Sequence, residues 1–145
     1  MEDIDRKIVG LLAADGRMSF TDLGKETGLS TSAVHQRVRR LEKRGVIKGY
    51  RALVDPEAVG LPMTAFVSIK AFDPSAEDEA PRRIAKLKGV ESCYSVAGDE
   101  AYILKVRVAS PIALEALLGE IRSLAGVSTR TAVVLSTPFE DRFVK

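Results

Sequence analysis

The stretch GLSTSAVHQRVRRLEKRGVIKGY, residues 28–50, decides the fold of the N-terminal third of the chain. Five Lys or Arg residues and one acid lie between Ser30 and Arg44. The apolar residues recur at the three- and four-residue spacing of one helix face. They are Val34, Val38 and Leu41. The pattern predicts an amphipathic helix that has Ser30 as its N-cap, is apolar on one side and is basic over much of the rest.

The polar face of this helix has the residue types that contact DNA. Small side chains come first and long cations later, which suits a helix whose N-terminal residues approach base edges in the major groove. Gln36 can pair with adenine and Arg39 with guanine, whereas the later cations suit phosphates. The candidate DNA-binding residues are Ser30, Thr31, Ser32, His35, Gln36, Arg37, Arg39, Arg40, Lys43 and Arg44.

Two more helices are predicted before this one. Residues 3–14 carry an apolar stripe, with Asp3 as the expected cap and Asp15-Gly16 as the end. A second helix is expected to follow Ser19 and to end at Thr27-Gly28. Two short helices joined by a turn through glycine are the signature of a helix-turn-helix.

Charge is uneven along the chain, whose net charge is only +2. Residues 1–55 hold 11 Lys/Arg against 8 Asp/Glu, and residues 56–145 hold 11 against 12. The basic excess in the N-terminal third favours an anionic partner there, although such a helix face can also be merely solvated. His35, the only histidine, has no Cys, Asp or Glu nearby at metal-ligand spacing. We therefore expect no metal site, no cofactor and no catalytic residues.

The overall composition favours a cytoplasmic protein. Apolar residues make up 46% of the chain, which is enough for a packed core, and no run approaches the ~20 apolar residues of a membrane span. The acidic start MEDIDRK is unlike a signal peptide. Cys93 is the single cysteine, so no disulfide can form within one chain, and we expect it to be buried as a small hydrophobe.

The C-terminal part contains a repeat at an offset of 37 residues. IAKLKGVESCYSV (84–96) aligns with IRSLAGVSTRTAV (121–133), and AFVSIKA (65–71) aligns with YILKVRV (102–108). Each unit is expected to form a strand, a helix and a second strand. Two such units give the βαββαβ order of a ferredoxin-like fold, so the predicted fold class is α+β.

The helices of the repeat are predicted at about 77–88 and 111–123, where they would cover one face of the sheet. The other face would mix apolar side chains with lysines, which favours cover by a second copy of the chain over a half-solvated monomer. Its predicted members are Phe66, Phe72, Ile103, Val134, Lys70 and Lys105. The side chains of residues 46–55 alternate loosely between two sets, as in a strand. This segment leads into a linker between the two domains.

The sequence between the two repeats is SVAGDEAYILKV, residues 95–106. Gly98 allows a sharp turn, and Asp99 and Glu100 place two carboxylates beside it. Two interpretations remain open: a surface hairpin, or a ligand-binding loop at an edge between subunits.

With these motifs the chain resembles the Lrp/AsnC, or feast/famine, regulators of bacteria and archaea, essentially from end to end. The stretches that carry the resemblance are LSTSAVHQRVRRLEKRGVIKGY and VAGDEAYILKVRV. The resemblance implies a winged helix-turn-helix at 1–47, a β-ribbon linker at 48–62 and an effector-binding, oligomerising ferredoxin-like domain at 63–145. It implies homodimers that assemble further, typically to octamers, and that bind palindromic double-stranded DNA.

The resemblance also implies a small effector, usually an amino acid, between dimers. The effector-binding positions would be Gly98, Asp99, Glu100, Ala101, Tyr102, Ser136 and Thr137. Ala101 departs from the family pattern, which has a second acid there, so Glu100 would have to substitute or the effector would differ. The alternatives are a sirohaem-decarboxylase-like enzyme of similar architecture and a DNA organiser that needs no effector.

Overall fold

The computed structural model describes residues 1–144. Its N-terminal part contains three helices: α1 (Asp3–Ala14), α2 (Phe20–Thr27) and α3 (Thr31–Lys43). All three predicted helices are confirmed. The expected cap of α1 is wrong, because Asp3 is already helical and Glu2 occupies the N-cap without a side-chain hydrogen bond. The cap of α2 is as predicted, since the Ser19 hydroxyl accepts a hydrogen bond from the Asp22 amide at 3.0 Å.

The turn between α2 and α3 depends on two glycines. Gly28 ends α2 with φ at 75°, in the left-handed region that favours glycine, and its amide donates to the Gly24 carbonyl at 2.8 Å. Gly24 itself lies against the following chain, because a Cβ at this position would be 2.7 Å from the Leu29 carbonyl oxygen. The compact turn brings α2 and α3 together over a shared apolar core. The buried members of that core are Ile8, Leu12, Leu23, Val34, Val38 and Leu41.

The C-terminal part is a four-stranded antiparallel sheet with helices on one face. The strands are β1 (Met63–Ala71), β2 (Val90–Ser95), β3 (Tyr102–Val108) and β4 (Val127–Val133). Their order is β2-β3-β1-β4, which confirms the predicted ferredoxin-like arrangement. A 3-10 helix (Pro74–Glu79) and α4 (Ala80–Ile84) follow β1, and α5 (Pro111–Ala125) follows β3. The helix-facing side of the sheet is buried, as at Val67, Leu104 and Val106.

The first helix of the repeat differs from the prediction for 77–88. Only Ala80–Ile84 is α-helical, and the preceding turn is a 3-10 helix from Pro74. Pro81 lies in the first turn of α4 and has no N–H to donate to the residue 77 carbonyl. An α-helix therefore cannot run unbroken through this position. The second helix, α5, confirms the prediction and extends two residues further.

The strand-like prediction for residues 46–55 is wrong for a single chain. No strand forms there, and no backbone hydrogen bond among the described residues involves 48–54. The side chains of Leu53 and Val54 are exposed by 76% and 60%. A strand needs a neighbour for its backbone groups, and one chain supplies none here.

The prediction that Cys93 is buried is also wrong. It faces the helical side of the sheet, opposite Leu104, but β2 is an edge strand and leaves the side chain exposed. Partial burial nevertheless raises the pKa of its thiol.

The chain divides into two compact units. One contains Met1–Leu53 together with the tail from Phe139, and the other contains Val54–Pro138. The predicted linker at 48–62 is thus shared between the two units, and its assignment as a separate β-ribbon stays a prediction.

Candidate nucleic-acid interface and effector cavity

The basic helix α3 is fixed by its cap and by its apolar side. The Ser30 hydroxyl accepts a hydrogen bond from the Ala33 amide at 3.1 Å, which confirms the predicted N-cap. Val34, Val38 and Leu41 are fully buried against the other helices. The polar face is consequently held outward as one rigid surface.

Nine of the ten predicted DNA-binding residues are exposed on or beside that surface. The exception is Arg37, which is half-buried. No hydrogen bond or ion pair within residues 1–144 engages the side chains of four exposed cations. They are Arg39, Arg40, Lys43 and Arg44. The C-terminal half of α3 and its C-cap can therefore offer four charged hydrogen-bond donors to an anionic polymer.

Arg37 has an intramolecular environment instead. Its Nη1 donates to the Asp5 carboxylate at 3.0 Å and to the Glu2 carboxylate at 3.2 Å, both on or beside α1. The hydrogen bond to Asp5 is the main reason that the pKa of Arg37 is raised. A contact between Arg37 and DNA stays a prediction. The geometry favours a role for Arg37 in holding α3 against α1.

Two contacts made by aromatic rings support the same surface. His35 packs edge-on against Phe20 at the start of α2, with ring centroids 5.2 Å apart. Beyond the helix, the Tyr50 hydroxyl donates to Glu42 at 3.0 Å. Partial burial and this hydrogen bond raise the pKa of Tyr50. Glu42, the one acid on α3, therefore has a hydrogen-bond partner in its own chain.

A cavity of about 340 Å³ lies in the sheet domain beside the loop between β2 and β3. The predicted positions from Gly98 to Tyr102 all line it. Sequence reasoning missed the other residues of the lining, which are Glu77, Asp78, Ser95, Val96 and Ala97. The acids Glu77 and Asp78 were placed inside a regular helix, and nothing in the pattern indicated that a 3-10 turn would bring them to the loop.

The cavity lining is acidic. It contains no Lys or Arg, and four carboxylates contribute to it: Glu77, Asp78, Asp99 and Glu100. Partial burial and the negative charge of Asp78 raise the pKa of Tyr102, which also lines the cavity. Glu100 already has a partner, since Arg130 of β4 donates to it at 3.2 Å from outside the cavity.

Ser136 and Thr137 are exposed and do not line this cavity. Tyr102 pairs with Ile69 near one end of β1, whereas Val133 pairs with Ala65 toward the other end. Ser136 and Thr137 therefore follow the opposite end of the sheet from the loop. A site that includes both segments would need more than one copy of the chain.

Two family models match the sequence, and they agree with the two parts of the fold. Residues 1–42 match the AsnC-type helix-turn-helix domain, and residues 64–144 match the Lrp/AsnC ligand binding domain. The chain belongs to the Lrp/AsnC family. This Lrp/AsnC protein thus has a DNA-binding domain formed by α1–α3 and a ligand-binding domain formed by the sheet, as its sequence predicted.

Curated relatives are named as transcriptional regulators. The chain is 55% identical over 142 residues to the HTH-type transcriptional regulator LrpA of Mycobacterium tuberculosis, covering 98% of this chain and 95% of that protein. It is 40% identical over 139 residues to the leucine-responsive regulatory protein of Escherichia coli, covering 93% and 85%. These names support a regulatory role and give no support to the sirohaem-decarboxylase alternative.

Solved structures match both domains at once. A feast or famine regulatory protein from M. tuberculosis complexed with L-methionine superposes with a TM-score of 0.96 at 55% identity, over 99% of this chain and 97% of the other. The E. coli AsnC structure gives a TM-score of 0.90 at 27% identity, over 99% and 97%. No helix within residues 1–144 has the length and hydropathy needed to cross a membrane.

Proposed function

We propose that this Lrp/AsnC protein is a sequence-specific DNA-binding transcriptional regulator that responds to an amino acid. The observation that carries the proposal is the outward face of α3, where four cations with no side-chain partner in residues 1–144 follow short polar side chains at the N-terminal end. That order matches a helix that inserts its first turns into the major groove and holds phosphates further along.

Within that face, we assign Gln36 and Arg39 to base edges. Thr31 and Ser32 are short and exposed, which allows the first turn to come close to the bases. Ser30, His35, Arg40, Lys43 and Arg44 lie around them, and we assign these residues to the DNA backbone.

The target is a palindromic duplex bound by a homodimer. In a dimer with two-fold symmetry, two copies of α3 would meet half-sites about 34 Å apart or a multiple of that distance. The exposed apolar side chains of residues 46–61 and of the open sheet face supply the surface for pairing. Dimers then assemble to a higher oligomer, for which we propose the octamer. A regulator of chromosomal DNA acts in the cytoplasm.

The effector is proposed to bind between dimers, at the acidic cavity beside Gly98–Tyr102. Its carboxylates suit the ammonium group of an amino acid, and Asp99 has no side-chain partner among the described residues, so it is available to bind one. The M. tuberculosis relative solved with L-methionine supports this class of ligand. Ser136 and Thr137 would reach the ligand from a second copy of the chain.

DNA binding is tested with duplexes that the wild-type protein selects from a random pool. Fluorescence anisotropy on a selected duplex and on a scrambled one should show a clear preference for the former. The affinity should fall steeply as salt rises, since each phosphate contact releases counterions. A protein that retains no duplex from the pool would refute the proposed function.

Effector binding is tested by thermal shift with each of the twenty amino acids. We expect a saturable rise in melting temperature with at least one of them, because a ligand that binds only the folded state stabilises it. Asp99→Ala should abolish the rise, and Glu115→Ala, an exposed acid on α5, is the matched control. If no amino acid shifts the wild type, the effector-independent DNA organiser is the better description.

A further inference from the structure

Arg37 is separated from the other cations of α3 by where its side chain lies. We infer that Arg37 is a positioning residue, which sets the orientation of α3 through Asp5 and Glu2 and does not contact DNA. The inference rests on the DNA-binding function proposed above. It removes Arg37 from the ten candidate DNA-binding residues and gives it a different role.

The helix geometry places Arg37 away from the DNA-facing line. At ~100° per residue, Arg37 lies roughly 130° around the helix from the line through Ser32, Gln36, Arg39 and Lys43. It borders the buried side instead, three residues from Val34 and four from Leu41. Its side chain is 24% exposed, and its guanidinium lies over α1.

Asp5 gives the contact its specificity. Among residues 1–144 it is the one buried charged residue, at 4% exposure, within one turn of the core residue Ile8 on α1. A buried carboxylate is costly unless it is paired, and Arg37 is the cation that pairs with it. The apolar contact between α1 and α3 tolerates small rotations of one helix on the other, whereas a directional ion pair at 3.0 Å does not.

The consequence for DNA follows from the rigidity of α3. Base contacts demand accurate placement of Gln36 and Arg39, whereas phosphate contacts are electrostatic and tolerate displacement. Loss of the Arg37 pair should therefore reduce the preference for the selected duplex more than it reduces binding to scrambled DNA. Loss of a phosphate contact would weaken both equally.

The test compares Asp5→Asn, Glu2→Gln and Arg37→Gln with Arg40→Ala in the full-length protein. Affinity for the selected and the scrambled duplex is measured at several salt concentrations, and folding is checked by circular dichroism. Asp5→Asn is the most informative variant because it removes an acid, so long-range electrostatics alone would strengthen DNA binding.

We expect Asp5→Asn and Arg37→Gln to lose about tenfold in discrimination between the two duplexes, the size of a charged hydrogen bond. Their salt dependence should match that of the wild type. Glu2→Gln removes the exposed partner, and we expect a loss of about threefold. Arg40→Ala should weaken both duplexes and lower the salt slope by about 1.

The inference is overturned if Arg37→Gln lowers the salt slope as Arg40→Ala does, or if Asp5→Asn binds the selected duplex more tightly. Should Asp5→Asn fail to fold, Glu2→Gln decides, and unchanged discrimination in that variant rejects the inference. A wild type that selects no duplex refutes the proposed function itself, which distinguishes the two failures.

Discussion

At the scale of single residues, α3 shows that charge alone does not define a nucleic-acid contact. The helix and its cap carry five cations, yet Arg37 is paired internally while Arg39, Arg40, Lys43 and Arg44 are left to solvent. The difference is the ion pair that the Arg37 side chain makes with Asp5 and Glu2, so its removal should affect DNA binding differently from removal of the other four cations.

Arg39→Ala tests the base contact. If Arg39 contacts a guanine, the variant should lose about 1–3 kcal/mol on the selected duplex and accept other bases at that position. Arg82→Ala, an exposed arginine on α4, is the control and should leave DNA binding unchanged. Equal weakening on selected and scrambled duplexes would instead assign Arg39 to phosphate.

Tyr50→Phe tests the hydrogen bond between Tyr50 and Glu42. The pKa of Tyr50 is raised by partial burial and by its hydrogen bond to Glu42, so the neutral phenol stabilises the folded state. That contribution is present below the ordinary tyrosine pKa of about 10 and is lost as pH rises through the higher folded value. Urea unfolding should show the variant less stable at pH 7 and the gap narrowing in strong alkali. A gap that stays constant would contradict this account.

Sequence reasoning found the candidate residues where the pattern was local. Helical spacing was enough to place Ser30 as the cap and the cations of α3 on a surface. It could not find Asp5 or Glu2 as partners of Arg37, because that contact joins positions 32 and 35 residues apart in the chain. Glu77 and Asp78 were missed for a similar reason, since they reach the Gly98 loop only through the fold.

At the scale of elements, glycines and prolines explain where prediction succeeded and failed. The end of α2 at Gly28 followed from the residue type, because glycine adopts the left-handed conformation without strain. The break before α4 was missed because the apolar spacing of Ile84 and Leu87 favours a regular helix, whereas Pro81 interrupts it. All four strands were recovered because the repeat predicted them, and alternation supported β1 and β3.

Two glycine substitutions of opposite sign test this account. Gly28→Ala should destabilise the protein by about 1–2 kcal/mol, because alanine is strained at φ 75°. Gly10→Ala lies within α1, where a Cβ would meet no atom within 4 Å, and should stabilise by about 1 kcal/mol. Urea unfolding measures both. If both variants change the free energy of unfolding in the same direction, this account of the turn or of the helix is wrong.

At the scale of the whole molecule, the main feature is apolar surface that one chain leaves uncovered. Phe66 lies on the open side of the sheet and is 39% exposed, as the alternation of β1 predicted, and Phe72, just beyond the end of β1, is 73% exposed. Leu53 and Val54, on the segment before the sheet, are also exposed apolar side chains. The identity of the covering partner is not encoded in any local pattern, which is why the assembly stays a prediction.

Phe66→Asp tests pairing through the open face. A buried carboxylate at a self-complementary interface appears twice and is costly each time, so the dimer should dissociate. Light scattering after size exclusion should give a mass near the 15.7 kDa of one chain. Ile112→Asp, on the exposed start of α5, is the control and should keep the dimer. An unchanged mass for Phe66→Asp would place the interface elsewhere.

The unpaired segment 48–54 also bears on how long a chain survives after synthesis. Its backbone has no hydrogen-bond partner among the described residues, and an extended, unpaired backbone is the form that fits a protease cleft. A solitary chain would be cut there, between its two units, while a paired chain would be protected. The cellular half-life of this regulator would then rise with its own concentration, so that dilution by cell growth hastens its removal.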